Sequence, residues 1–173
     1  MNKHNIMAYC SCQFTRLGLE HAIYSYPELS LRANLVYYPR SGFFPSDCPV
    51  ADILVVIMDG NIGETLMLRG QIMETPLRQG VRTVLISPRG CPEWLKFAIL
   101  GRMNVDAELD ASTPVSMLQS LLTYMLDHSQ ISDYHRDRSP LSPRELDIIT
   151  RLLNERNPMQ IARELGLSIK TVS

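Results

Sequence analysis

Apolar residues in the first 127 positions follow two patterns, short continuous runs and longer segments with helical spacing. The clearest run is Ile53 to Met58, which is typical of a strand buried on both faces of a sheet. Further strands are predicted over 6–10, 31–37, 82–87 and 105–109. Because helix-sized segments separate these strands, the pattern predicts a parallel sheet with helices on both sides.

In the helical segments, apolar residues recur at intervals of three and four, which places them on one buried face. The first predicted helix begins near Thr15 and ends at Pro27, because proline removes a helix hydrogen bond. Other helices are predicted over 63–74, from Pro92 and from Pro114. The residues expected to face inward from these helices are Leu19, Ala22, Ile23, Tyr26, Trp94, Leu95, Ala98, Ile99, Met117, Leu118, Leu121, Leu122 and Met125.

The strand predicted over 31–37 carries apolar residues at alternate positions, Leu31, Ala33, Leu35 and Tyr37, which suits a place near the sheet edge. Five strands within about 125 residues indicate an α/β protein with a flavodoxin-like, doubly wound parallel sheet.

Beyond this α/β domain (1–127), residues 128–140 lose apolar periodicity and are interpreted as a polar linker. A small all-α unit (141–173) follows. Ser142, next to Pro143 and three residues before Glu145, predicts a capped helix start. A second helix is expected to bury Met159, Ile161, Ala162 and Leu165 and to stop at Gly166, with Ser168 capping a third helix.

The segments LSPRE, IARELGLS and KTVS resemble, in order and spacing, the helix-turn-helix of LuxR-type (NarL/FixJ-like) bacterial transcription factors. The alternative is an ordinary amphipathic helical hairpin. The resemblance implies that Lys170 and Thr171 contact DNA phosphates and that base contacts begin at about Ser173. It also implies a recognition helix and a closing helix extending past Ser173. The helix-turn-helix is therefore expected to be incomplete here, with weak or absent DNA binding.

The α/β domain, the linker and the helix-turn-helix together resemble a response regulator, and TRLGLEHAI is similar to the first helix of a receiver domain. A working receiver requires carboxylates for Mg²⁺, an aspartate nucleophile, a hydroxyl and a lysine. By this resemblance the acidic pair falls on Cys10 and Ser11, the phosphoacceptor on Ile57, the hydroxyl on Ser87 and the lysine on Asp110 or Ala111.

Thiol and hydroxyl groups do not replace two carboxylates as Mg²⁺ ligands, and Ile57 has no nucleophilic atom. The sequence therefore predicts a degenerate receiver that aspartyl phosphorylation does not regulate. Asp59, two residues after Ile57, is the alternative acceptor if the alignment is shifted.

The opening CSCQFTRLGLEHAI is also similar to Rcs-type capsule regulators and their auxiliary partners. That resemblance implies a DNA-binding co-regulator whose receiver-like domain serves dimerisation. A homodimer and a heterodimer with a LuxR-type response regulator both remain open. The second hypothesis is an interaction module that pairs with a full-length regulator and modulates or inhibits it without contacting DNA.

Composition limits which classes of protein this chain can belong to. The chain is 45% hydrophobic with a net charge of −1, and it contains no apolar run that would span a bilayer, so a cytoplasmic protein without membrane contact is expected. Four irregularly spaced cysteines, including Cys10 and Cys12, favour reduced thiols over disulfides or a metal site. Gly60 and Gly63 form only an isolated G-x-x-G, and neither a G-x-x-x-x-G-K-S/T nor a G-x-S-x-G motif occurs, so neither an enzyme nor a cofactor is expected.

Overall fold

A computed structural model describes residues 3–38, 49–58, 72, 77–100, 104–128, 144, 147–148, 151–152 and 156–172. The elements bounded within these residues are β1 (His4–Tyr9), α1 (Gln13–Tyr24), α2 (Pro27–Arg32), β2 (Ala33–Tyr37), β3 (Ala51–Ile57), β4 (Leu77–Ser87), α3 (Glu93–Leu100), β5 (Ala107–Asp110), α4 (Val115–Asp127), α5 (Pro158–Leu165) and α6 (Ile169–Val172). Several predicted features lie outside the described residues: the helix over 63–74 except Ile72, linker positions 129–140, and the cap residues Ser142, Pro143 and Glu145.

The described strands form one five-stranded parallel sheet in the order β2-β1-β3-β4-β5. Ile6 of β1 lies opposite Ile53 of β3, and Val84 of β4 lies opposite Ala107 of β5. This arrangement confirms the predicted flavodoxin-like sheet, with β2 at one edge as expected.

Successive residues of β3 enter two different hydrophobic cores, which confirms that this strand is buried on both faces. Ile53 and Val55 pack in the first core, which α1, α2 and α4 cover. Leu54 and Val56 pack in the second core, to which α3 contributes Leu95 and Leu100. The sheet is therefore the middle layer of three. Because both faces are covered, polar groups from different strands meet at the strand ends.

The prediction that Pro27 ends the first helix is wrong. Helix α1 ends at Tyr24, and Pro27 is the first residue of α2. Proline suits this position because its fixed φ matches the helix and the first turn needs no backbone donor. Leu31, predicted in a strand, belongs to α2 and is 74% exposed, so β2 begins at Ala33.

Three large apolar side chains predicted to face inward are exposed instead: Trp94 by 37%, Met117 by 56% and Met159 by 61%. Their helices form as predicted, and Leu122 and Ile161 are fully buried. Helical spacing gives the direction of the buried stripe, but packing neighbours decide how wide the stripe is. Within the described residues, no helix is both long enough and apolar enough to cross a bilayer.

The C-terminal helices share a separate small core, formed by the side chains Ile148, Ile161, Ala162 and Val172. The N-cap of helix α5 is Asn157, whose side-chain oxygen accepts a 2.9 Å hydrogen bond from the backbone N–H of Met159. This N-cap satisfies one backbone donor of the first turn. The described helical positions at 144, 147–148 and 151–152 precede α5.

Candidate functional site

The carboxyl ends of the parallel strands bring together residues from distant parts of the sequence. Cys10 directly follows β1, Ile57 ends β3 and Ser87 ends β4. Asp110 ends β5 and pairs in register with Ser87. The structure thus places four positions implied by the receiver resemblance at one edge of the sheet, beside Ser11. Asp59 lies outside the described residues.

The thiol of Cys10 is buried, with 4% of the residue exposed, and donates a 3.3 Å hydrogen bond to the carbonyl of Cys12. Burial raises the pKa of Cys10 above its ordinary value, which outweighs the opposing effect of this hydrogen bond. At neutral pH the group is a protonated thiol. It therefore lacks the negative charge that a carboxylate provides to a dication.

Arg16 provides a cation near the carboxyl end of β1, and its contacts were not predicted from the sequence. Its Nε donates a 3.0 Å hydrogen bond to the carbonyl of Cys10, and its guanidinium carbon lies 4.8 Å from the ring centroid of Tyr37. The Tyr37 hydroxyl donates to the carbonyl of Arg16 at 2.7 Å. A positive charge beside the acidic-pair position opposes cation binding there.

Ile57 and Ser87 are 5% and 4% exposed, so neither presents a side chain freely to solvent. The backbone pairing of β3 and β4 continues to this edge, because the N–H of Met58 donates to the carbonyl of Ile86 at 2.8 Å. Among the residues that the structure describes, no three His, Cys, Asp or Glu side chains are grouped as metal ligands would be.

Asp110 caps the turn between β5 and α4. Its carboxylate accepts hydrogen bonds from the hydroxyl and the backbone N–H of Ser112, and both lower the pKa of Asp110. The Nε atom of Arg89 lies 3.9 Å from Oδ2 of Asp110. By the receiver resemblance the lysine position falls on Asp110 or Ala111, and a carboxylate there would repel phosphate instead of pairing with it.

The turn from α5 to α6 is closed by a Schellman motif, which confirms the predicted left-handed stop at Gly166. Gly166 has φ +63°, its N–H donates to the carbonyl of Arg163, and the N–H of Leu167 donates to the carbonyl of Ala162 at 2.8 Å. Ser168 and Thr171 share a 2.8 Å side-chain hydrogen bond at the start of α6. The turn fixes the direction in which α6 leaves α5.

Two arginines of the C-terminal helical unit form ion pairs with carboxylates. Arg151 pairs with Asp147 at 3.0 Å and also with Glu164, while Arg156 lies 2.9 Å from Glu164. Lys170 and Thr171, the phosphate-contact positions implied by the resemblance, are both exposed on α6. Ser173 lies outside the described residues.

The outer face of α1, defined as Phe14, Leu17, Gly18 and His21, was not predicted from the sequence. Phe14 is 84% and Leu17 52% exposed, and nothing lies within 4 Å of a Cβ built on Gly18. The sequence does contain an indication of this face, because the apolar residues Phe14 and Leu17 lie on the side of α1 opposite Leu19 and Ile23. Helix α4 packs beside α1, with Gln119 Nε2 donating to the carbonyl of Ala22 at 2.8 Å.

Helix α4 also exposes apolar side chains, because Met117 and Tyr124 are 56% and 51% exposed. Two neighbouring helices on one side of the sheet therefore present large apolar groups to solvent. Exposed groups of this kind in a small globular domain are candidates for a protein contact.

No protein-family model matches this sequence, and no curated protein sequence matches it. Solved structures do share its fold. The complex of the two-component response regulator RcsB with DNA has 16% identity over 99% of this chain and 87% of that chain, with a TM-score of 0.53.

A structure of two RcsB dimers bound to two parallel DNAs has 16% identity over 99% of this chain and 87% of that chain, with a TM-score of 0.52. The Salmonella typhimurium RcsB response regulator has 15% identity over 99% and 86%, with a TM-score of 0.50. At this level of identity the likeness shows the fold. The sheet and its flanking helices match the flavodoxin-like receiver fold.

Proposed function

We propose that this protein is a LuxR-type transcriptional co-regulator. Residues 1–127 form a degenerate receiver domain used for dimerisation, 128–140 a linker, and 141–173 part of a helix-turn-helix. The observation that carries the proposal is the combination, in one chain, of a receiver-type sheet with two helices joined by the Gly166 turn. The fold likeness to the RcsB–DNA complex over 99% of the chain supports it.

The degenerate receiver is supported by the side chains at the carboxyl edge. By the receiver resemblance, a protonated Cys10 thiol falls where Mg²⁺ binding requires a carboxylate, and the hydrocarbon side chain of Ile57 falls where phosphoryl transfer requires a nucleophile. Asp110 or Ala111 falls where phosphate pairing requires a lysine. Regulation by aspartyl phosphorylation is therefore not part of the proposed mechanism.

Incubation with acetyl phosphate and Mg²⁺, followed by intact-mass measurement, tests this part. We expect no adduct of roughly 80 Da, the mass of one phosphoryl group. The Asp59→Asn variant is the matched control. An adduct on the wild type that disappears in this variant would show that Asp59 is the acceptor and would overturn the degenerate assignment.

Dimerisation is supported by the outer face of α1. Phe14 projects a large apolar group, while Gly18, one helical turn away, leaves room for a partner side chain. The positions of this face contain no Asp, Glu, Lys or Arg, so two copies meet there without like-charge repulsion. A projecting group and an open position on the same surface suit a two-fold contact between identical chains.

Sedimentation velocity over a range of concentrations tests the second copy as the occupant. The wild type is expected to dimerise, and Leu17→Glu to weaken dimerisation at least tenfold, because it buries a charge without a partner. Val50→Glu is the matched control, since Val50 is 46% exposed but directly precedes β3, away from α1. A monomeric wild type, or equal effects of both variants, would remove the outer face of α1 as the dimer interface.

The second candidate function is an interaction module that pairs with a full-length regulator and modulates it without contacting DNA. The exposed α1 and α4 side chains favour it, because they provide a protein contact that does not depend on α6. Mixing the chain with a full-length LuxR-type regulator and measuring promoter occupancy separates the two functions. Increased occupancy supports the co-regulator, and decreased occupancy supports the interaction module.

A further inference from the structure

The last turn of α4 is held by two arginines that come from different elements. Arg82 of β4 donates from Nη1 to the backbone carbonyl of His128 at 2.6 Å. Arg32 of α2 lies 2.7 Å, Nη1 to Oδ1, from Asp127. Asp127 is the final residue of α4 and His128 is its C-cap, so both contacts act where the chain leaves the α/β unit.

Arg82 is anchored in the sheet before it reaches α4. Partial burial lowers the pKa of its guanidinium, and the carboxylates of Asp106 and Asp52 oppose that change by attracting the positive charge. Both carboxylates are themselves fixed. Asp106 accepts from the N–H of Thr83 at 2.6 Å, and Asp52 accepts from the N–H of Asn5 at 2.9 Å. Arg82 thus reaches His128 from a place near two fixed carboxylates at the amino ends of the strands.

The acceptor side is ordered as well. His128 stacks on Tyr124 with ring centroids 4.2 Å apart, and its N–H donates to the Tyr124 carbonyl at 3.2 Å. Carbonyls at a helix C-terminus lack intrahelical donors and carry partial negative charge, so a guanidinium is a favourable partner. The final turn of α4 is therefore closed by side chains of β4 and α2 in addition to its own backbone.

We propose that Arg82 and Arg32 form an exit clamp, which holds the last turn of α4 on the sheet and fixes the point from which the chain continues. The clamp lies at the amino ends of the strands, the edge opposite Cys10, Ile57 and Ser87. The clamp uses none of the residues at that edge. The inference does not depend on DNA binding or dimerisation.

Hydrogen–deuterium exchange of the full 173-residue chain tests the clamp. Arg82→Ala removes the charged donor to His128 and is expected to increase the exchange rate of amides in the last turn of α4 roughly tenfold. Peptides from β1 and β3 should exchange as in the wild type. Arg82→Lys, which keeps a cationic donor, should give a smaller increase. Arg89→Ala is the matched control, because Arg89 is exposed and lies at the opposite edge.

Arg32→Ala gives a second, independent measurement at a surface pair, with an expected increase of about threefold in the same amides. If Arg82→Ala unfolds the α/β unit, the Arg32→Ala result decides. The proposal is overturned if the folded Arg82→Ala and Arg32→Ala variants exchange the amides in the last turn of α4 within about 1.5-fold of the wild-type rate, which is well below the expected effects. It is also overturned if Arg89→Ala has the same effect as Arg82→Ala.

Discussion

A single lysine joins α3 to the edge strand β5. Lys96 is 8% exposed, and its Nζ lies 2.9 Å from Glu93 and in contact with Glu108. Burial opposes the charge, but the hydrogen bonds to Glu108 and Glu93 outweigh it and raise the pKa of Lys96 above its ordinary 10.5. The ion pairs, and not apolar contact alone, hold this position.

Lys96→Met is expected to lower the free energy of unfolding by about 1–3 kcal/mol at neutral pH, because it leaves the partly buried Glu108 without its cation. A folded-state pKa above the unfolded value stabilises the fold fully below about pH 10.5, and the contribution is lost as the pH rises through the folded-state pKa. Urea unfolding at pH 7 and pH 11 measures both effects, and the difference between wild type and variant should shrink at pH 11.

Arg89→Ala is the control at the residue scale, since the Arg89 side chain is 90% exposed, and it should change stability by less than about 0.5 kcal/mol. Equal stabilities of the wild type and Lys96→Met would show that the ion pairs contribute nothing. The sequence offered no sign of this interaction. Lys96 sits in an apolar segment, and its partner Glu108 belongs to another element, so only the fold brings the charges together.

Two glycines occupy helical elements in opposite circumstances. Gly166 has φ +63°, a left-handed conformation that disfavours any side chain, while Gly18 lies inside α1 with nothing within 4 Å of a built Cβ. Gly166→Ala should cost about 1 kcal/mol in the local stability of α5, and Gly18→Ala should add about 0.5–1 kcal/mol to the α/β unit.

Hydrogen exchange of α5 amides measures the first effect, and urea unfolding followed through Trp94 measures the second. Each variant is the control for the other, because both make the same chemical change. Faster α5 exchange in Gly18→Ala, or a more stable α5 in Gly166→Ala, would contradict the assigned backbone roles. Gly18→Ala is best measured at low concentration, where the proposed dimer is dissociated.

Elements were predictable where one physical requirement dominates. The continuous apolar run of β3 needs burial on both faces, and Gly166 satisfies a left-handed position that other residues resist. Pro27 was misinterpreted because proline is compatible with both the end of one helix and the first turn of another. Met117 and Met159 were misplaced because spacing shows the centre of a buried stripe but not its edges.

At the scale of the whole molecule, the strand order brings the residues at the carboxyl ends of the strands to one edge of the sheet. Cys10 and Asp110 are 100 positions apart in sequence, yet both follow parallel strands of one sheet. The alternation of strands and helices predicted a parallel sheet, and in a parallel sheet the carboxyl ends of the strands lie at one edge. The contacts of Arg16 and Arg82 were not predictable, because a cation's partner depends on which loops and helix ends the completed fold brings near it.

Charge distribution in the C-terminal helices makes a prediction about the proposed DNA contact. Arg151 and Arg156 pair with Glu164, and Arg151 also pairs with Asp147, so carboxylates already neutralise much of their charge. Lys170 is exposed on α6 at a position where the resemblance implies a phosphate contact. A phosphate contact releases counterions, so its presence is measurable as salt dependence even when sequence selectivity is weak.

Lys170→Ala should therefore weaken non-specific duplex binding, with the slope of log K against log salt becoming shallower by about 0.9, the value for one phosphate contact. Fluorescence anisotropy with a labelled duplex over a salt series gives the slope. Arg156→Ala is the matched control, because it also removes one positive charge but from a pair with Glu164, and it should leave the slope nearly unchanged.

Equal slopes for Lys170→Ala and the wild type would place Lys170 away from the phosphates. A larger change for Arg156→Ala would mean that its ion pair opens on DNA and that the contact surface lies at the start of α5.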